Sequence, residues 1–139
     1  MPDDILPSIA FQTRRVSPLT FGETLNVLRS AILSEEMLLL HEIDTQKIVT
    51  GYGVPAHPIT QLLFFHPRFI ARILETDARA VIQAPLKLVV QEEATGVVTV
   101  DCIKPPHSFA AYKDLQEVGE ELEQIVERIA GRLTISQDT

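Results

Sequence analysis

Four histidines and a single cysteine are the side chains of this sequence best suited to binding or catalysis. His66 is the best placed of them, because it ends an apolar run typical of a buried strand and precedes Pro67, which suits the first position of a helix. A helix N-terminus favours an anion, and a neutral imidazole can donate a hydrogen bond or bind a metal. The pattern predicts either a ligand-binding His66 or a histidine that caps the helix.

The other candidates for binding surround the same strand in the sequence. Arg68 follows His66, Tyr52 and His57 lie in a loop rich in Gly and Pro at 51–58, and His41 ends the preceding strand. Loops and strand ends carry binding residues more often than cores do. We therefore expect these five residues to form a small-ligand site, with solvated histidines as the alternative for His57 and also for His107.

A metal- or redox-dependent enzyme is a second hypothesis, built on His41, His66 and Cys102. Two imidazoles with a carboxylate from Glu42 or Asp44 would suit zinc or iron if strands two and three are neighbours. The sequence offers no local His-x-x-x-His spacing in support. Cys102 lies within a strand, where a buried cysteine behaves as a small hydrophobic residue unless a cation activates it. The preferred interpretation therefore contains no metal site.

Other charged residues favour structural roles. Asp101 alternates with Val97 and Thr99, and a pairing with Arg14, Arg15 or Lys87 is expected ahead of an acid–base role. The sequence contains no Walker loop, no Gly-rich dinucleotide loop, no Gly-x-Ser-x-Gly elbow and no paired CxxC. The cofactor therefore stays unknown, and whether the protein is an enzyme stays open.

The elements that would position these residues follow from periodicity and from the placement of Pro and Gly. The predicted order is β-α-β-(short α)-β-α-β-β-α. The strands are expected at 8–16, 37–43, 59–66, 86–92 and 97–104, and the helices at 21–35, 45–52, 67–76 and 108–132. The fold class is α+β, with a mixed or antiparallel five-stranded sheet, helices mainly on one face and a long C-terminal helix.

The sheet is unusually apolar at 37–40 and 62–65, which leaves few polar positions for a solvated face. A homodimer that forms through the sheet or its edge would cover such a face. The alternative is that helices cover both faces.

Composition limits the possible partners and the compartment. A chain of 139 residues is most simply one domain, here residues 8–133, with a disordered N-terminus at 1–7 and a frayed tail at 134–139. The net charge of −7 disfavours binding to nucleic acid and to anionic membranes. The acidic N-terminus and the lack of a long apolar run favour a cytoplasmic protein without a membrane span.

Several short motifs, in this order and spacing, resemble the domain of unknown function 302 family over roughly 8–133. They are Glu42-Ile43-Asp44, His66-Pro67, Leu74-x-x-Asp77, Ala84-Pro85-Leu86 and Gly96-x-Val98-x-Val100. The resemblance implies a small α+β protein with a TATA-binding-protein-like fold, often dimeric. It implies no activity, because the family is named for lacking one.

This chain departs from the family pattern at two positions. Many relatives carry Cys or Asn before the first of the two prolines and Cys directly after the second, whereas this chain has His66 and Leu86 there. An imidazole thus stands where relatives have a softer ligand. The leading hypothesis is a homodimeric module that binds a small ligand or a partner, and a purely structural dimerisation module is the further alternative.

Overall fold

The protein is described by a computed structural model that covers residues 9–134. The expected disordered N-terminus at 1–7 and all but the first residue of the expected frayed tail at 134–139 lie outside these residues. Within 9–134 the helices are too short and too polar to cross a bilayer.

Five strands and five α-helices make up the fold. The strands are β1 (Gln12–Ser17), β2 (Leu38–Asp44), β3 (Ile59–Phe65), β4 (Leu86–Glu92) and β5 (Val98–Ile103). The helices are α1 (Phe21–Ser34), α2 (Thr45–Thr50), α3 (Pro67–Thr76), α4 (Pro105–Phe109) and α5 (Gln116–Ala130), and a 3₁₀ helix spans Ala78–Gln83. The predicted α+β class is confirmed.

The strands form one antiparallel sheet in the order β1-β5-β4-β3-β2. The predicted hairpin joins β4 to β5, and Gly96 adopts φ 91° in its turn, a conformation that glycine tolerates best. β1 and β2 are the two edge strands, and the register of β2 shifts at a bulge between Leu39 and His41.

The two faces of the sheet differ in composition. Alternate side chains of the central strands enter the hydrophobic core against the helices, among them Leu62, Phe64, Leu88, Val90 and Val100. This is the covered face. The opposite face carries the intervening side chains, which include Arg14, Gln61, Lys87, Val89 and Asp101. Helices therefore pack mainly on one face, as predicted.

The predicted helix signals form the expected local structures. Thr20 and Glu23 form a reciprocal capping box at the start of α1. The apolar seam of α5, namely Leu115, Val118, Leu122, Ile125 and Ile129, is buried. Ion pairs add contacts between the elements. Arg29 of α1 binds Glu42 of β2, and Arg72 of α3 binds Glu121 of α5.

The predicted start of the first strand was wrong. The first strand begins at Gln12, because residues 9–12 form a turn closed by the Gln12 amide and the Ile9 carbonyl. The segment from Ala78 to Gln83, for which no element was predicted, is a 3₁₀ helix, whereas β4 begins at Leu86, as predicted.

The long C-terminal helix is divided into α4 and α5. Asp114, with φ 71°, takes a left-handed conformation that interrupts the helix. The chain then folds back, so that α4 packs against α5 where Gly119 lies close to the backbone of Pro105 and Pro106. Apolar periodicity continues on both sides of the break and so does not reveal it.

Candidate functional site

His66 lies at the carboxyl end of β3, as predicted, and it is the N-cap of α3. Its Nδ1 accepts a hydrogen bond from the Arg68 amide at 3.0 Å. An accepting Nδ1 carries no proton, so the neutral ring bears its proton on Nε2. Within residues 9–134 that Nε2 forms no hydrogen bond, which leaves a donor available to a ligand.

An apolar cavity of about 310 Å³ adjoins His66. It lies between β2, β3, α3 and the segment that follows α3. Its lining consists of Leu38, Leu40, Phe65, His66, Pro67, Ile70, Val81, Ala84 and Pro85. We call it the apolar cavity, because His66 contributes its only polar side chain.

Arg68 makes structural contacts at the start of α3. Its Nη1 donates to the Glu36 carbonyl at 2.7 Å, and its guanidinium lies 4.8 Å from the centre of the Phe69 ring. Glu36 has φ 59°, a strained conformation for a residue with a side chain. Arg68 therefore fastens the start of α3 to the turn between α1 and β2, and it is not among the residues that line the apolar cavity.

The structure does not bring the remaining predicted residues to His66. Tyr52 and His57 are exposed and precede β3, whereas His66 follows it. The seven residues of β3 span about 23 Å, so the two groups lie at opposite ends of that strand. His41 pairs with Leu63, three positions before His66, is exposed, and is not among the residues that line the apolar cavity. The single site expected from these residues is thus divided.

The residues of the metal or redox hypothesis are also separated. His41 is on edge strand β2, whereas Cys102 is on β5, three strands away and on the covered face. Neighbouring strands lie about 4.8 Å apart, so the two are separated by about 14 Å. Among the described residues, no group of three or more His, Cys, Asp or Glu side chains is arranged to hold a metal ion.

Cys102 has the surroundings of a buried, inert thiol. Its side chain is 7% exposed, and burial raises its pKa to about 12. A thiolate is the reactive form of cysteine, and it is disfavoured here at neutral pH.

Asp101 fulfils the structural expectation. Arg14 donates from Nε and Nη2 to its two carboxylate oxygens, both at 2.8 Å, on the opposite face of the sheet. The sequence allowed Asp101 to pair with Arg14, Arg15 or Lys87, and the structure has the pairing with Arg14.

A second and larger hollow was not predicted. A cleft of about 620 Å³ lies at the end of the sheet, between β4, β5, the 3₁₀ helix and α4. We call it the mixed cleft, because its lining includes Lys87, His107, Ser108 and Tyr112 beside apolar side chains. Pro85 lies between the two hollows and lines both.

The mixed cleft joins residues that are remote in sequence. Phe11 and His107 are 96 positions apart in the chain, yet their ring centres are 5.3 Å apart. Only the antiparallel pairing of β1 with β5 brings them together. No local motif in the sequence signals such a site.

Comparison with known proteins places this geometry in a family. A family model described as a domain of unknown function, DUF302, matches residues 12–133. The crystal structure of an uncharacterized conserved DUF302 protein from Bacillus stearothermophilus is similar, with a TM-score of 0.78 and 23% identity over 90% of this chain and 97% of that one. At this identity the likeness concerns the fold. No curated protein matches the chain.

Proposed function

The chain belongs to the DUF302 family, whose description assigns no activity, and we propose that the protein binds a small apolar molecule in the apolar cavity beside His66. The observation that carries the proposal is the cavity itself. A concave, largely apolar hollow of a few hundred Å³ with few polar groups is the usual form of a small-molecule site.

The chemistry of the lining defines the ligand class. Eight of the nine lining residues are apolar, so a charged ligand would lose its hydration without compensation. His66 is the one lining residue with a polar side chain, and we expect its Nε2 to be the donor, since its Nδ1 is engaged by the Arg68 amide. The expected ligand is therefore uncharged, mainly hydrocarbon, and carries one hydrogen-bond acceptor.

Cyclohexanone is a suitable probe, because it combines an apolar ring with a single carbonyl acceptor. Titration followed by amide chemical shifts should give changes confined to the surroundings of Leu40, Phe65, Ile70 and Ala84. Methylenecyclohexane, which has a similar shape but lacks the carbonyl, should bind more weakly by about 1 kcal/mol, the net value of one hydrogen bond.

Two variants of the same helix test the location. Ile70 lines the cavity, and Ile70→Trp should fill it and abolish binding. Leu74, one turn further along α3, is 58% exposed and does not line the cavity, so Leu74→Trp should bind as the wild type does. Unchanged binding by Ile70→Trp, or shifts that map elsewhere, would refute the proposal.

A third variant tests the role of His66. His66→Asn keeps a residue that can cap α3 through Oδ1, removes the imidazole, and places its remaining amide donor closer to the backbone than Nε2. We expect it to bind methylenecyclohexane as before and to lose the preference for cyclohexanone. A preference that survives in His66→Asn would show that the carbonyl is bound by another group.

Homodimerisation is a second proposal, and the exposed apolar side chains of edge strand β2 favour it. Leu38 and Leu40 are 43% and 51% exposed, and β2 pairs with β3 alone among the described strands. An apolar edge strand is a template for pairing with a second copy. Such a dimer would suit either a binding module or a purely structural one.

Sedimentation velocity at micromolar concentration tests this second proposal. The wild type should sediment as a dimer, and Leu40→Lys should sediment as a monomer, because a charge would be buried in the interface. Leu33→Lys is the matched control, since Leu33 is 60% exposed but lies on α1. A monomeric wild type would contradict the dimer and would leave the ligand proposal standing.

A further inference from the structure

The mixed cleft has a charge character opposite to that of the whole chain. The net charge is −7, yet no Asp or Glu lines this cleft. The two basic side chains in the lining are Lys87 and His107, and both are cationic when charged. The local electrostatic potential of the mixed cleft therefore favours an anion, although the protein as a whole is acidic.

The nearby acidic and ionisable groups do not cancel this field. Asp101 lines a smaller neighbouring hollow of about 150 Å³, and Arg14 binds both of its carboxylate oxygens. Cys102 also lines the mixed cleft, and its thiol stays protonated at neutral pH because burial raises its pKa to about 12. Neither group repels an anion in the cleft.

Hydrogen-bond donors accompany the positive charge. Lys87 uses one proton of its ammonium group on Gln61 Oε1, at 3.0 Å, and keeps two for a ligand. Tyr112 Oη accepts from Gln83 Nε2 at 3.2 Å, so its own proton remains to be donated. Ser108 adds a hydroxyl group to the same lining. Several donors around a cation match the oxygens of a carboxylate.

The remaining wall is aromatic and apolar. The Phe11 and His107 rings lie 5.3 Å apart at a tilt of 33°, and Ile82, Pro85 and Ile103 complete this side. Aromatic rings in this arrangement bind planar groups well. We propose that the mixed cleft binds a small organic carboxylate with a planar apolar group, whose carboxylate contacts Lys87 and His107.

Benzoate is the probe for this site, and benzamide and benzylammonium are its neutral and cationic counterparts. Amide chemical shifts should change around Lys87, Ile103, His107 and Tyr112, with a dissociation constant in the millimolar range typical of so small a ligand. Benzamide should bind about tenfold more weakly, and benzylammonium should not bind.

Matched variants separate the local charge from the overall charge. Lys87→Gln should weaken benzoate binding about tenfold. Lys47→Gln removes the same charge from α2, at the other end of the sheet, and should bind as the wild type does. His107→Phe keeps the ring beside Phe11 and should also weaken benzoate binding while leaving benzamide unchanged. Lys87 is exposed, so folding should persist in these variants, and circular dichroism verifies it.

Three results would overturn the proposal. They are a lack of benzoate binding at millimolar concentration, equal binding of benzoate by the wild type and Lys87→Gln, and shifts that map to Leu40 and Ile70. The last result would place benzoate in the apolar cavity. Cyclohexanone is expected in the apolar cavity and benzoate in the mixed cleft. If one probe does not bind, the test with the other is unaffected.

Discussion

Arg14 and Asp101 form a two-point ion pair across neighbouring strands, with Nε–Oδ1 and Nη2–Oδ2 distances of 2.8 Å. The side chain of Asp101 is 8% exposed and that of Arg14 is 35% exposed. The arginine therefore compensates a carboxylate that is almost fully removed from water. The register of β1 against β5 places them directly opposite each other.

We expect Arg14→Met to destabilise the fold by about 2 kcal/mol, because it leaves the Asp101 carboxylate buried without its partner. The partial exposure of Arg14 keeps the loss below that of a fully buried pair. Urea denaturation at neutral pH measures it. Arg128→Met is the control, since Arg128 is 56% exposed in its pair with Glu35 and should lose less than about 1 kcal/mol. Equal losses in both variants would contradict this account.

The pairing of Glu42 with Arg29 should make stability depend on pH. The hydrogen bonds from Arg29 hold the pKa of Glu42 below its ordinary value of 4.5. A carboxyl group whose pKa is lowered by folding contributes stability above its unfolded pKa, and the contribution is lost as the pH falls through its folded pKa. Both side chains are about one-third exposed, so solvent limits this contribution to less than about 1 kcal/mol.

Denaturation curves measured between about pH 6 and pH 3 test this expectation. Glu42→Gln should lose stability at pH 6 and should show a weaker decline toward acid than the wild type. Glu120→Gln is the control, because Glu120 is exposed on α5 and forms no ion pair within residues 9–134. Its curve should run parallel to that of the wild type. A Glu42→Gln curve that also runs parallel would refute the coupling.

Cys102 should resist alkylation in the native protein. With its pKa raised from 9.0 to about 12 by burial, the thiolate fraction at pH 8 is about 1000-fold lower than that of an exposed thiol. Iodoacetamide should modify it at least about 100-fold more slowly than in the urea-unfolded chain. Ser34→Cys adds an exposed cysteine as an internal reference. Peptide mass spectrometry measures the alkylation rates at both positions. Equal rates would show that Cys102 is a reactive thiol.

The same raised pKa affects alkaline stability. Folding favours the protonated thiol, so its contribution is complete below the unfolded pKa of 9.0 and is lost as the pH rises from 9.0 toward 12. Cys102→Ala should decline less steeply over that range than the wild type. An identical decline would show that Cys102 does not titrate differently in the two states.

Local signals in the sequence were sufficient for most of the fold. Thr20 with Glu23 fixed the start of α1, and Pro67 fixed the junction of β3 with α3, because caps and proline act through neighbouring backbone groups. Strand order and the antiparallel register required contacts across the whole chain. The sequence therefore supported a mixed or antiparallel sheet and did not distinguish between them.

The candidate site was predicted less completely, and the reasons are geometric. His66 lies beside a cavity as expected, but Tyr52 and His57 lie beyond the other end of β3, a strand about 23 Å long. Residues on either side of a strand in the sequence are separated by its length. Leu38, Leu40 and Val81 form the cavity wall, and nothing distinguishes them in sequence from core residues. Lys87 and His107 line the same cleft only because remote strands pair.

Gly119 and Gly22 offer a final contrast between two helical glycines. A Cβ atom on Gly119 would lie 3.0 Å from the Pro105 carbonyl oxygen and 3.1 Å from the Pro106 Cα, both backbone atoms that cannot move independently. A Cβ atom on Gly22 would contact nothing within 4 Å. The first glycine permits close packing of α4 on α5, whereas the second has no comparable role.

Gly119→Ala should therefore destabilise the protein by about 1–3 kcal/mol, the usual cost of overpacking, and should shift α4 slightly away from α5. Gly22→Ala should be neutral or stabilise the protein by up to about 1 kcal/mol, since alanine favours the helix and restricts the unfolded chain. Thermal and urea denaturation measure both. Because α4 carries His107, Gly119→Ala should also weaken benzoate binding in the mixed cleft. If both glycines tolerate alanine equally, the close contact between α4 and α5 is not essential to the fold.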